Sequence, residues 1–234
     1  MVKVAAIIQA RLSSTRLPAK VMKDLNGKTL IERVVNQVRM SKVIDEIWIA
    51  TSTEPEDDLL ELIGNKLDIM VFRGALENVL KRYYDTQCIT NADVIVRITA
   101  DNPFTEPSFI DYGVEYLLSN HLDYVNYEQI PYGTGVEIIR ASALEQAHFA
   151  ATKDYDREHV TPYVRNNKDF FRIGTLIPDQ LELCRPDVSL TIDTMEDYVK
   201  LYKLISSLEM EEEQVSLTSV VEFYDRLRSE GDYE

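Results

Sequence analysis

The sequence predicts an α/β fold: a mostly parallel, mixed sheet flanked by helices. Two observations carry that expectation. Short apolar runs rich in Val and Ile recur along the chain, the signature of strands buried on both faces. Between them lie longer segments of helical periodicity, which gives β-α-β alternation. No internal repeat, low-complexity tract or Gly/Ser linker interrupts the 234 residues, so one domain spanning 1–234 is expected.

Val2–Ile8 reads as the first strand. The run is stopped by Gln9 and Arg11, is too short for a signal-peptide core and has no cleavage site after it. A helix over Leu30–Met40, a strand over Glu46–Ala50 and a helix over Asp57–Lys66 follow. Next come the strand Ile69–Phe72, the helix Leu76–Gln87, the strand Val94–Ile98 and the helix Pro107–Ser119. The alternation then loosens. Tyr124–Tyr127 and Gly135–Ile139 read as strands around the turn Pro131-Tyr132-Gly133, and Phe171–Leu176 as another. Leu190–Ile192 is expected to be one more buried strand. Asp193 or Thr194 would cap a helix running to about Ser207, and Leu217–Arg228 reads as a terminal helix.

A hydrophobic content of 45% is ordinary for a soluble protein. No window approaches the roughly 20 apolar residues of a membrane helix. The net charge of −15 argues against nucleic acid and anionic membranes, which need a positive footprint. Cys88 and Cys184 are distant and without motif spacing, which suggests buried thiols in a reducing cytosol and a cytoplasmic location. The acidic run Glu209–Glu213 reads as a solvated helix end or loop. His121 and His148 fall on predicted helices without metal-ligand spacing and read as structural. Against this acidic background Arg11, Arg16, Lys20, Lys23 and Lys28 form a basic island, which points to a small anionic ligand.

In open α/β sheets ligands bind beyond the carboxyl ends of the strands. Gln9–Lys20, Thr51–Glu54, Arg73–Gly74, Thr99–Pro103 and Asp193–Thr194 each follow a predicted strand and carry polar residues, so they should meet at one rim. The first of these holds Arg11, Ser13, Ser14, Thr15, Arg16 and Lys20: guanidinium forks, an ammonium and hydroxyls, the donor set a triphosphate needs. It is neither a Walker loop nor a G-x-G-x-x-G fingerprint, and an ordinary basic surface loop reads equally well from the residues alone. Asp101, before Asn102-Pro103, suits a hard cation such as Mg²⁺, with a helix-capping role as the alternative. Asp193 ends its run in the same way, while Glu196 and Asp197 fit the first turn of a helix. Without metal, two close carboxylates would repel each other.

Four motifs in order carry a family resemblance. They are Ile7 to Arg11 with Arg16 to Lys20, Arg97-Ile98-Thr99-Ala100-Asp101-Asn102-Pro103, Asp156 to Tyr163, and Leu190-Thr191-Ile192-Asp193-Thr194. Together they resemble the cytidylyltransferases of the spore coat polysaccharide biosynthesis protein F type, relatives of the CMP-ketodeoxyoctonate and CMP-sialic acid synthetases. The resemblance runs from about residue 3 to about residue 205. It implies a Rossmann-like nucleotide-diphosphosugar transferase fold. It implies that Arg11, Ser14, Arg16 and Lys20 hold the CTP phosphates, that Ala10, Ala50 and Thr51 line the nucleotide site and that Arg73 contacts the cytosine. Asp101 and Asp193 would bind Mg²⁺, and Arg11, Lys20 and Asp101 would carry catalysis. Asn102, Glu137, Arg157 and His159 are candidates for the sugar side; Arg157, Glu158 and His159 could instead face a second subunit or equally form a helix start, and Gly133–Glu137 could be a plain hairpin turn. The family usually has Gly where this chain has Ala19; if φ is positive there, alanine costs about 1 kcal/mol. A homodimer is implied only by the synthetases.

The expected reaction is therefore transfer of CMP from CTP to a sugar or sugar acid, releasing pyrophosphate, in surface polysaccharide or glycan biosynthesis. The alternatives are another nucleotide or a phosphorylated acceptor, a glycosyltransferase, or a non-catalytic nucleotide-binding paralogue. A glycosyltransferase would usually carry Asp-x-Asp, and position 103 is Pro.

Overall fold

The structure, a computed structural model, describes residues 2–211 and 215–229. Its strands are β1 (Val4–Gln9), β2 (Asp24–Leu25), β3 (Lys28–Thr29), β4 (Glu46–Ser52), β5 (Met70–Gly74), β6 (Val94–Thr99), β7 (Tyr124–Tyr127), β8 (Glu137–Arg140) and β9 (Ile173–Leu176). Its helices are α1 (Leu30–Arg39), α2 (Asp58–Leu67), α3 (Val79–Thr90), α4 (Pro107–Ser119), α5 (Ala141–Ala150), α6 (Asp154–His159), α7 (Pro162–Asn166), α8 (Met195–Glu211) and α9 (Leu217–Ser229). Seven strands form one sheet in the order β5-β4-β1-β6-β8-β7-β9, and β2 pairs with β3 apart from it. The β5-β4-β1-β6 half is parallel; β8 is antiparallel to both β6 and β7, and β9 lies parallel to β7. The mostly parallel, mixed sheet expected from the sequence is present.

The central strand shows why its sequence lacks alternation. Ala6 and Ile8 of β1 pack into a core with Leu30, Ile31, Val34 and Val35 of α1, Ile110 and Val114 of α4, and Leu201 and Leu204 of α8. Ala5 and Ile7 face the other way, onto Val79, Leu80 and Tyr83 of α3 and Leu144 and Ala147 of α5. Both faces are dry, and each fully buried Ile or Val contributes about 1.5–3 kcal/mol. The Tyr83 hydroxyl lies 3.0 Å from Ile7 O and 3.1 Å from Ile98 O, which docks α3 under β1 and β6. Burial pushes that phenol up to about 12. Thr29 and Glu32 start α1 with a capping box: Glu32 N donates to Thr29 Oγ1 (3.3 Å) and Thr29 N to Glu32 Oε2 (2.6 Å).

Three sequence expectations are corrected. Leu190–Ile192 is buried and extended but is not a sheet strand. Leu190 N donates to Tyr132 O (2.7 Å) and Ile192 N to Asp101 O (2.9 Å), so its backbone partners are two loops. His121 lies in the turn after α4 with φ 53°, outside any helix, whereas His148 is on α5 and stacks on Tyr84 at 4.4 Å. The two cysteines are not buried thiols: Cys88 is exposed and Cys184 intermediate, and both are free. In the acidic run, the backbone of α8 reaches Glu211; Glu212 and Glu213 lie outside the described residues. Among the described residues no helix is long and apolar enough to cross a membrane.

Candidate active site

The parallel register sets Gln9 beside Ala50 and Thr99, so the loops after β1, β4 and β6 leave from one rim. The first loop is folded by its own backbone and by one distant carboxylate. Ser14 N and Ala19 N both donate to Leu12 O, at 2.8 and 3.0 Å, while Leu12, Leu17 and Val21 are buried beneath. Leu12 N donates to Asp57 Oδ1 at 2.7 Å, and the other Asp57 oxygen accepts from the amide and hydroxyl of Ser52. Asp57 is 1% exposed. Burial pushes its carboxyl up, but the hydrogen bonds from Ser52 and Leu12 outweigh it and hold the group below the usual carboxylate range. Ala19 adopts φ 52°, ψ 32°, the left-handed conformation that glycine would favour, and Lys20 opens a 3₁₀ turn over Lys20–Met22.

That turn aims Lys20 at two carboxylates. Its Nζ donates to Asp101 Oδ2 (2.8 Å), Asp193 Oδ1 (3.0 Å) and Ile192 O (3.1 Å), and Arg16 Nη2 donates to Asp193 Oδ1 (2.8 Å). Asp101 and Asp193 therefore meet although far apart in the chain, because Ile192 N pins the loop after β6. The expected carboxylate repulsion is absent: one ammonium lies between the two acids. Capping of α8 falls to Thr194 and Asp197, not Asp193. Asp197 Oδ2 accepts from Thr194 N (2.8 Å) and Asp193 N (3.1 Å), which leaves the Asp193 side chain to the site. Among the described residues no three His, Cys, Asp or Glu side chains gather to hold a metal. Two carboxylates are what Mg²⁺ typically takes from protein when water and substrate phosphate complete its shell, so this donor set fits it.

Two adjoining cavities open here. One, about 270 Å³, is lined by the first loop from Gln9 to Lys20, by Asp101 and Asp193, and by Leu76, Glu77, Val79 and Arg82. The other, about 540 Å³, is lined by Arg97, Asn102, Asn126, Gln129, Glu137 and Arg165 among others; Arg16, Asp101, His159 and Asp193 border both. The structure thus brings Ala10, Arg11, Ser14, Arg16, Lys20, Asp101 and Asp193 to the first cavity, and Asn102, Glu137 and His159 to the second. Arg11 has no side-chain partner among the described residues.

Four candidates line neither cavity. Ala50 and Thr51 are buried. Arg157 donates Nε to Ala151 O at 3.3 Å. Arg73 donates to Ser52 O (3.0 Å) and Glu54 O (2.9 Å) and pairs with Asp58 (2.6 Å) and Glu61 (3.1 Å), so its fork is already occupied. In exchange, Arg82 and Glu77 stand in the first cavity, and the sequence reading had neither.

The floor of the second cavity is a polar network in which Arg97 Nε alone among its named groups has no partner. Glu137 pairs with Arg97 and accepts from Tyr124 and, at 2.6 Å, from Thr161. Burial pushes the Glu137 carboxyl up, and Arg97 with these hydrogen bonds pulls it back below its ordinary value. His159 and Thr161 flank Val160, which has φ 71° and ψ −58°, and Thr161 N donates to His159 O at 2.9 Å. This is a γ-turn on a buried β-branched residue, a conformation that costs about 1–3 kcal/mol. It sends one flanking side chain to both cavities and the other to Glu137. Gly133 closes the same wall at φ 93°, and a Cβ there would lie 2.9 Å from Leu190 C and Thr191 N. The close approach at this turn is to the protein's own backbone.

A basic loop and paired aspartates at the carboxyl rim of a parallel sheet define a nucleotidyltransferase. The chain belongs to the cytidylyltransferase family, whose profile matches residues 5–225. It is 39% identical to an uncharacterised protein of Methanocaldococcus jannaschii over 228 residues, 96% of this chain and 91% of that one. It is 37% identical to the spore coat polysaccharide biosynthesis protein SpsF of Bacillus subtilis over 204 residues, 85% of this chain and 84% of that one. Among solved structures it is similar to a cytidylyltransferase from Leptospira borgpetersenii, with TM-score 0.87, 29% identity and coverage of 100% of this chain and 97% of that one. It shares its fold with a CMP-2-keto-3-deoxy-manno-octonic acid synthetase complexed with CTP, at TM-score 0.67, 15% identity and coverage of 90% and 100%.

Proposed function

We propose that this cytidylyltransferase transfers CMP from CTP to a sugar or sugar acid in the cytoplasm, releasing pyrophosphate, as an activating step in glycan or polysaccharide synthesis. The observation that carries the reading is the meeting of Arg16, Asp101 and Asp193 on the border of two cavities, with Lys20 bonded to both acids from the first, which the basic loop lines, and hydrogen-bonding side chains lining the second. CTP would occupy the first cavity, and the acceptor the second. An acceptor oxygen would then approach the α-phosphate across the shared residues, where alignment supplies most of the rate.

Arg11, unpaired and facing the first cavity, takes phosphate oxygens. Arg16 and Lys20 offset the charge that develops on departing pyrophosphate. Asp101 and Asp193 would hold Mg²⁺, which supplies charge neutralisation at the phosphates. Asn102 is held by Nδ2 donating to Thr99 Oγ1 at 2.8 Å, and its position in the second cavity suits a sugar hydroxyl. The Arg97–Glu137 pair holds that floor, and His159 lines both cavities.

The test is pyrophosphate release with CTP and Mg²⁺ across a panel of sugar acids and neutral sugars. Acceptor-dependent release with at least one sugar or sugar acid is expected. No release with any of them, while the protein binds CTP, would leave a nucleotide-binding paralogue as the better reading.

A further inference from the structure

Tyr132 is an aromatic side chain on a fixed mount at the second cavity. It is 65% exposed and lines that cavity. Among the described residues its ring stacks on no aromatic and its hydroxyl has no hydrogen-bond partner. The other tyrosine there, Tyr127, is committed elsewhere: its ring stacks on Phe109 at 4.6 Å and its hydroxyl donates to Phe109 O at 2.9 Å. Phe149 and Phe170 are more exposed than Tyr132, but neither borders the site.

The mount is backbone. Tyr132 N donates to Val188 O (2.8 Å) and Tyr132 O accepts from Leu190 N (2.7 Å), so the chain is clamped on both sides of the ring. Pro131 is buried, and its carbonyl accepts from Thr134 N (3.2 Å) and Thr134 Oγ1 (2.8 Å). Gly133, at φ 93°, packs against Leu190 and Thr191. Tyrosine has two side-chain torsions, so a ring on a fixed backbone has little freedom left to lose when a ligand meets it.

The amides of the same cavity are each held by one end. Gln9 Oε1 accepts from Arg97 Nη2 (3.1 Å), Asn102 Nδ2 donates to Thr99 Oγ1, and Asn126 Oδ1 accepts from Thr175 Oγ1 (3.0 Å). The opposite ends, two NH₂ groups and one carbonyl, have no partner among the described residues. An aromatic face fringed by oriented amides matches a ligand with one apolar face and a hydroxylated edge. A pyranose has that shape: its hydroxyls project at the rim, and its axial C–H bonds turn their positive ends to the negative face of an aromatic ring. An open-chain polyol holds no such face in one shape.

We propose that Tyr132 is a specificity-determining residue of the acceptor cavity, a platform for the C–H face of a pyranose acceptor. The proposal deepens the function proposed above and rests on it. The platform selects cyclic over open-chain acceptors, and among pyranoses those with a face free of axial hydroxyls. It stands apart from the acids that meet Lys20, so it acts on acceptor affinity and leaves turnover alone.

The experiment is pyrophosphate release with CTP and Mg²⁺, first across pyranose sugars and sugar acids and then with mannitol, ribitol phosphate and glycerol phosphate. Release with a pyranose and none with the open-chain compounds is expected. With that pyranose, Tyr132→Phe should keep the acceptor KM within about twofold, while Tyr132→Leu and Tyr132→Ala raise it about tenfold. In all three, kcat and the KM for CTP should stay within about twofold, the pattern of lost uniform binding. The side chain is exposed, so the variants should fold, with melting temperatures within about 2 °C of wild type. Sedimentation velocity should give wild type and Tyr132→Ala the same oligomeric state; different states would reassign the ring to a subunit contact and overturn the proposal. A wild-type acceptor KM in Tyr132→Ala or Tyr132→Leu, or an open-chain acceptor used as well as the pyranose, overturns the platform and leaves cytidylyl transfer standing. No release with any acceptor, from a protein that binds CTP, overturns the proposed function and the platform with it.

Discussion

Ala19 tests whether the first loop has the backbone described. It is exposed, with φ 52° and ψ 32°, one residue before Lys20. The left-handed region costs an L-residue about 1–2 kcal/mol, because Cβ crowds the following carbonyl oxygen. Glycine removes that cost but enlarges the unfolded ensemble, a penalty of about 0.4–1 kcal/mol. The methyl group is solvent-facing, so its loss adds little. Ala19→Gly should therefore be stabilising, by about 0.5–1 kcal/mol once the two terms are subtracted. For a chain of 234 residues that is a rise in melting temperature of about 1–4 °C. Ala19→Val is the control: a β-branched side chain in the same conformation should lower the melting temperature by a similar amount. Differential scanning calorimetry reads both, and pyrophosphate release should change less than about twofold in Ala19→Gly, since Leu12 O and Asp57 still hold the loop. A fall in melting temperature for Ala19→Gly, or a neutral Ala19→Val, would refute a left-handed residue 19.

Asp57→Asn should destabilise by about 1.5–3 kcal/mol, because an amide cannot accept from Leu12 N and Ser52 N at once. The folded-state pKa of Asp57 is depressed, so its contribution is complete above the ordinary carboxylate pKa of about 4 and is lost as pH falls through the lower folded value; denaturant melts should show the two proteins converging only under acid. Gly133→Ala should cost about 2 kcal/mol or more, since the φ of 93° and the 2.9 Å approach to Leu190 C both oppose a Cβ; a melting temperature within about 1 °C of wild type would contradict it. Lys20→Met should bind Mn²⁺ without nucleotide on the order of tenfold tighter than wild type, because the ammonium at 2.8 and 3.0 Å from the two acids competes with a metal. Spin-resonance titration reads this, and unchanged affinity would mean that Lys20 does not compete for that position.

The parallel half of the sheet was legible because burial on both faces writes itself as unbroken Val and Ile runs, and strand ends in register must share a rim. Arg11, Lys20 and Asp101 were legible for the same reason, since their loops leave strands of that kind, while Asp193 follows an apolar run that is not a strand. Leu190–Ile192 has the same apolar signature, but its amides bond to Tyr132 O and Asp101 O in two loops, so its composition matched a strand and its partners did not. Three further side chains show the same limit. Arg73 sits at a strand end on the correct rim, yet Ser52 O and Glu54 O, with two acids, take its donors. Arg82 falls within a helical stretch that the sequence does not single out, and its Nη1 bonds to the carbonyls of Ala75 and Leu76. Asp57 stands at the start of α2 as expected, and it also holds the amides of Leu12, 45 positions away, and of Ser52. In each case the deciding partner is a peptide group. Every residue carries one, so such partners leave no mark on composition, spacing or charge. A side chain whose partner is another side chain can be inferred from residue types; one whose partner is backbone is placed only when the chain is folded. The first class supplied Lys20, Asp101 and Asp193, which meet at the rim, and the second supplied the groups that shape the rim around them.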